Sequence, residues 1–138
     1  MRFLADAAAE LIVKRTRAGF GVKSFRAQRT NRLLSLDPDY IAYRRRKKLD
    51  STTSPGKSNL TFTGQLLRSI KGNVTKEGRA VINFKDRRRG ERLTNTQLAE
   101  YVEEQGRPFL YLAKTEQLKL AKFYEKTFSA ILKNKGLR

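Results

Sequence analysis

The chain has no cysteine and no histidine. Disulfides are therefore excluded, and so are metal sites built on thiolate or imidazole and nucleophile–base pairs that need either group. The absence of cysteine is compatible with the cytosol. No apolar run approaches the roughly 20 residues that cross a bilayer. Asp6 and Glu10 interrupt the N-terminal stretch where a signal peptide would need an unbroken apolar core. The expectation is a chain made and kept in the cytosol, with no membrane partner.

Acidic residues are scarce as well, 13 Asp and Glu against 31 Lys and Arg. With histidine and cysteine absent, acid–base or metal chemistry would fall mainly to carboxylates, and their one cluster is Glu100, Glu103 and Glu104. Glu100 and Glu104 stand one helical turn apart, a spacing that could hold a divalent ion as in a nuclease. The simpler reading is a set of exposed acids that pair with a basic neighbour, and these three are expected at a subunit interface. No glycine-rich phosphate loop precedes a helix. The chain is expected to be no enzyme and to carry no cofactor and no metal.

What the sequence has in excess is positive charge: a net of +18 over 138 residues. Such a chain repels itself unless anions or acidic partners are close, and nucleic acid is the commonest polyanion. The excess is uneven. Residues 1–92 carry 23 basic and 8 acidic residues, a net of +15, whereas residues 93–138 carry 8 and 5, a net of +3. Two runs concentrate it: Arg44, Arg45, Arg46, Lys47 and Lys48, and then Arg87, Arg88 and Arg89 with Arg92. Arginine grips phosphate through two parallel hydrogen bonds, so both runs are candidate contacts to DNA or to an acidic partner. Tyr40, Tyr43 and Phe84 lie near them. They could stack on bases, but core packing is the preferred reading, because the chain has few aromatics to spend on a core.

The length suits one domain. Phe3, Leu4, Ala7, Ala8, Leu11 and Ile12 mark a helix from 3 to 17, stopped by Gly19 and Gly21. Residues 22 to 59 read as a long basic arm, extended except for one short helix near Tyr40, and such a segment is expected to drape on a neighbour. Leu60 to Ile70 reads as a short helix capped by Thr63, buried through Leu66, Leu67 and Ile70 and ended by Gly72. Strands are expected at 73–75 and 80–84, joined through Lys76-Glu77-Gly78-Arg79. Two strands alone are rarely stable, so the sheet is expected to hold more. A helix at 95–105 stops at Gly106, and an extended link from Pro108 carries Phe109 as a core plug. The last helix, Thr115 to Lys135, should bury Leu118, Ala121, Tyr124, Phe128, Ile131 and Leu132 and end at Gly136. The fold class is α+β: an N-terminal helix, a small antiparallel sheet with a hairpin, short helices, and a long C-terminal helix packed on the sheet.

Three strings in order carry a resemblance. They are Leu60-Thr61-Phe62-Thr63-Gly64-Gln65-Leu66-Leu67-Arg68-Ser69-Ile70, then Leu98-Ala99-Glu100-Tyr101-Val102-Glu103-Glu104-Gln105-Gly106, then Arg107-Pro108-Phe109-Leu110 with Ala113. Together they resemble the tail-completion, or neck, proteins of long-tailed bacteriophages, over roughly residues 60–135. Gln105-Gly106 stands where that family often has glycine-threonine, and the arm at 22–59 has no counterpart in the resemblance. The resemblance implies a structural virion protein, made in the host cytoplasm. It would complete the head–tail connection as a ring of subunits around the DNA channel. Its partners would be further copies of itself, other neck, connector or tail-tube proteins, and genomic DNA. The alternative is a freestanding, sequence-independent nucleic-acid-binding protein, which explains the charge but not the ordered strings.

Overall fold

The computed structural model describes residues 1–22, 29–47, 65–85 and 93–136, with the side chains of Lys47 and Gln65 left out. The elements run α1 (Arg2–Arg17), β1 (Phe20–Val22), β2 (Thr30–Arg32), α2 (Pro38–Lys47), α3 (Gln65–Arg68), β3 (Ile70–Val74), β4 (Ala80–Phe84), α4 (Asn95–Glu104) and α5 (Lys114–Asn134). The class is α+β. The two sheets among the described residues are separate antiparallel pairs, β1 with β2 and β3 with β4.

The β3–β4 hairpin and α1 form the central layer. Ile70 faces Phe84 and Val74 faces Ala80 across the hairpin. Gly78 closes its turn at φ +79, a left-handed conformation that favours glycine. The connection at 76–79 is the one expected. β3, however, begins at Ile70 rather than 73, and Gly72 lies inside the strand instead of ending a helix. The reason is close packing. A Cβ on Gly72 would stand 2.4 Å from the carbonyl carbon of Ala5 and from the amide nitrogen of Asp6, so the strand lies directly on the α1 backbone. Ala5, Ala8 and Ala9 are buried on the same helix. Small side chains on both sides of this contact let helix and strand approach where larger ones would hold them apart.

Around this contact Ile12, Leu66, Leu67, Ile70, Ala99 and Phe109 form the core. Phe109 is fully buried, as expected for a plug. Leu66, Leu67 and Ile70 are buried too, although Ile70 does so from a strand. The expected cap Thr63 lies outside the described residues.

Part of the anticipated arm is ordered. β2 pairs with β1, Phe20 opposite Arg32 and Val22 opposite Thr30, and the Leu33 amide donates to the Gly19 carbonyl at 2.9 Å. Gly21 permits the pair to sit under the 106–110 link, because a Cβ there would lie 2.0 Å from the Pro108 carbonyl oxygen. The short helix expected near Tyr40 is α2. Its first turn is closed by Asp37, whose side chain accepts from the Asp39 amide at 2.8 Å. The remainder of the arm, 23–28 and 48–59, lies outside the described residues.

Candidate functional site

The long helix α5 is held at its start by one buried polar junction. Arg15 projects from the last turn of α1 onto the same stripe as Ala8 and Ile12, and it reaches Glu116 in the first turn of α5. Its guanidinium also donates to the Phe109 carbonyl. The same Glu116 Oε2 accepts from the Ala113 amide at 2.9 Å, so one carboxylate serves a buried cation and an open helix end together. Burial pulls the Arg15 guanidinium below the usual arginine range and the Glu116 charge opposes that pull; the group stays charged at any ordinary pH. Ala113 and Glu116, not the anticipated Thr115, begin this helix.

Farther along, the burial stops. Phe3 of α1 meets Phe123 edge-on at 5.7 Å and stacks with Tyr124 at 6.4 Å. With Arg15 on Glu116 at one end and Phe3 on Tyr124 at the other, the two helices run antiparallel. The ten residues of α5 after Tyr124 therefore pass the start of α1, an overhang of about 15 Å at 1.5 Å per residue. On it Phe128 is 46% and Ile131 41% exposed, and Phe128 extends the aromatic ladder by stacking on Tyr124 at 5.7 Å. The expected inner face of this helix is thus corrected. Leu118, Ala121, Tyr124, Phe128 and Ile131 are all exposed and Leu132 is half-buried, whereas Glu116 and Leu120 are the buried residues of α5. The apolar period is real, but α5 packs chiefly on α1, and α1 ends before that period does.

The first cationic run is split by its own helix. Arg44 is buried, with its guanidinium 6.0 Å from the centre of the Tyr40 ring, and burial lowers its pKa against the opposing effect of Tyr40. Its burial withdraws it from the exposed part of the run. Arg45 and Arg46 are exposed. Tyr40 and Tyr43, read from the sequence as core residues, are each 40% exposed and stack on one another at 6.3 Å. The Lys47 side chain, Lys48 and the second run, Arg87, Arg88, Arg89 and Arg92, lie outside the described residues.

Of the acidic cluster, Glu100 and Glu104 are exposed on α4 beside Tyr101, which is 54% exposed. Glu103 is half-buried, with its Oε1 atom covered and without a hydrogen-bond partner, so this residue turns away from the surface that its neighbours form. Among the described residues no three acids come together in a metal-holding group. A recess of about 330 Å³ between β2 and the 106–108 link has Asn31 and Arg32 as its polar side chains and no carboxylate. Among the described residues no helix is long and apolar enough to cross a membrane.

Sequence reasoning missed the Arg15–Glu116 junction, although both residues carried signals. Arg15 falls three residues after Ile12 on the buried stripe, and Glu116 occupies the third position of its helix, where a carboxylate closes the helix start. The α4 cap was similarly legible: Thr94 and Gln97 close a reciprocal capping box. No family model, curated protein or solved structure matches the chain.

Proposed function

We propose that this chain is a structural subunit of a bacteriophage neck, which completes the head–tail connection by joining a ring of subunits around the DNA channel. The observation that carries this reading is the α5 overhang. A stacked aromatic ladder continued by Ile131 projects past the helix that covers its base, and a contiguous exposed apolar surface marks a contact with another chain. Three further features support it. The charge of +18 suits a subunit that lies beside packaged nucleic acid. Glu100 and Glu104 offer an acidic surface to the basic face of a neighbour, as the face-to-different-face contacts of a ring require. The three strings between 60 and 113 occur in the order seen in tail-completion proteins.

The test is the mass of the purified protein in solution by light scattering, at low and high salt, with and without duplex DNA. A ring-sized species of fixed stoichiometry, alone or on addition of virion connector proteins, is the expected result. A monomer that binds duplex tightly and joins no virion component would overturn the reading in favour of a freestanding nucleic-acid-binding protein.

A further inference from the structure

We infer that α4 of one copy docks antiparallel on the lysine side of α5 of the next copy, with Glu100 and Glu104 on Lys126 and Lys122 and with Tyr101 on Phe123. The inference rests on the assembly proposed above and names the contact that joins neighbouring subunits.

Each helix presents its half of the contact at the surface. On α4, Glu100 and Glu104 are exposed and Tyr101 is 54% exposed. On α5, Lys119, Lys122 and Lys126 are exposed, and Phe123 is 41% exposed, meeting Phe3 edge-on. Among the described residues none of these acids or lysines is in an ion pair; the one pair is Arg15 with Glu116. Glu100 and Glu104 repel each other at one-turn spacing, and so do Lys122 and Lys126. Each couple relieves the repulsion in the other.

The two faces match in shape as well as in sign. Around α4, the midpoint of Glu100 and Glu104 falls about 80° from Tyr101; around α5, the midpoint of Lys122 and Lys126 falls about 80° from Phe123, in the same rotational sense. Antiparallel helices laid face to face keep that order, so acids meet lysines and ring meets ring. A parallel arrangement would set the rings against the charges. Along the axis, Glu100 comes level with Lys126 and Glu104 with Lys122, about 6 Å apart on each helix, which brings the two rings to within about 3 Å of the same height. An aromatic pair at such an offset adds to the apolar area buried between the helices.

A second copy is needed to bring the faces together. Within the chain α4 packs on α3 and β4, and α5 packs on α1, so the two helices rest on different parts of the scaffold. A duplex backbone would engage the lysines and leave Phe123, Tyr101 and both acids without a role. Phe128 falls about 160° around α5 from Lys126, so the aromatic ladder is a second surface and does not compete with this one. A contact between two different faces propagates from copy to copy, as a ring requires.

The experiment uses two charge-reversed full chains, Glu100→Lys with Glu104→Lys, and Lys122→Glu with Lys126→Glu. Light scattering and sedimentation follow each alone and the two mixed. Each alone opposes like charges at the contact and should associate on the order of 100-fold more weakly than wild type. Mixed in equal amounts they should associate again, because each then meets its opposite. All four positions are exposed; circular dichroism checks the helices, and Gln replacements serve if a reversed chain fails to fold. The orientation is read by cross-linking, since the chain has no cysteine of its own. Mixed Glu104→Cys and Lys122→Cys chains should form a disulfide-linked dimer faster than Glu104→Cys with Lys126→Cys. Variants that associate like wild type, mixing that restores nothing, faster linkage through Lys126→Cys, or a lysine variant that loses duplex binding but not association would each overturn the inference. A closed dimer joined through this contact would uphold it while sinking the ring, and a ring indifferent to both reversals would do the reverse. A chain that stays monomeric with and without connector proteins would overturn both.

Discussion

The two ends of α5 belong to one regular helix and live in different environments. Its first two turns are anchored: Glu116 and Leu120 are buried, and the helix start is tied to Arg15 and through it to the Phe109 carbonyl. Its last three turns repeat the same apolar period with nothing of α1 beneath them. Amphipathic periodicity specifies which side of a helix is apolar, and it is silent about what covers that side. In the first turns the cover is α1. In the last turns α1 no longer covers it, Phe128 and Ile131 are exposed, and another molecule covers them in the assembly proposed here.

The sharpest way to break the contrast is at the anchored end. Glu116→Ala removes the partner of a buried cation and the acceptor of the Ala113 amide together. A loss of about 3–5 kcal/mol is expected, because the stranded guanidinium keeps its desolvation cost; the urea midpoint measures it. Replacing the pair jointly, Arg15→Met with Glu116→Leu, should restore most of that loss. A single-variant loss under about 1 kcal/mol would mean that water already screens the junction, as it does for exposed pairs.

How much of this was legible in the sequence follows the same division. Elements defined by local chemistry were readable. The end of α1, the 76–79 connection, the stop of α4 at Gly106 and the stop of α5 at Gly136 all rest on residue types that act within a turn, and both glycines have positive φ. Features fixed by distant residues were not readable. Gly72 looks like a helix stop until the backbone of α1 is placed 2.4 Å from its absent Cβ. The β1–β2 pair was hidden because its strands are three residues each and β2 is wholly exposed, leaving no alternation to read. For the candidate surfaces, the cationic run was visible as composition, but its division into a buried Arg44 and exposed Arg45 and Arg46 needs the helix that carries them. Tyr40 and Tyr43 were assigned to the core on the argument that aromatics are scarce. The core is instead completed by aliphatics around Phe109, which leaves the two rings at the surface.

Smaller effects sharpen the comparison within α5 itself. Leu120→Ala, at a site 9% exposed, should cost about 2–5 kcal/mol, as truncation in a packed site does. Phe128→Ala makes a comparable truncation eight residues later, two turns along the same face, at a site 46% exposed. In the dilute monomer it should shift stability by no more than about 0.5 kcal/mol, the range for surface changes, because the ring is exposed and stacks on Tyr124, itself a surface residue. Its effect should appear in association instead: sedimentation of the wild-type chain should show concentration-dependent growth in mass that the Phe128→Ala chain lacks. The two readouts together decide the matter. If Phe128→Ala destabilises the monomer as much as Leu120→Ala does, the overhang is covered by this chain's own residues and the ladder is core. If it leaves both stability and mass unchanged, the ladder binds no further copy of the chain, and the subunit contacts must be sought on the acidic face of α4. Lost association with intact stability is the outcome expected of a helix whose inner half holds the fold and whose outer half holds the neighbour.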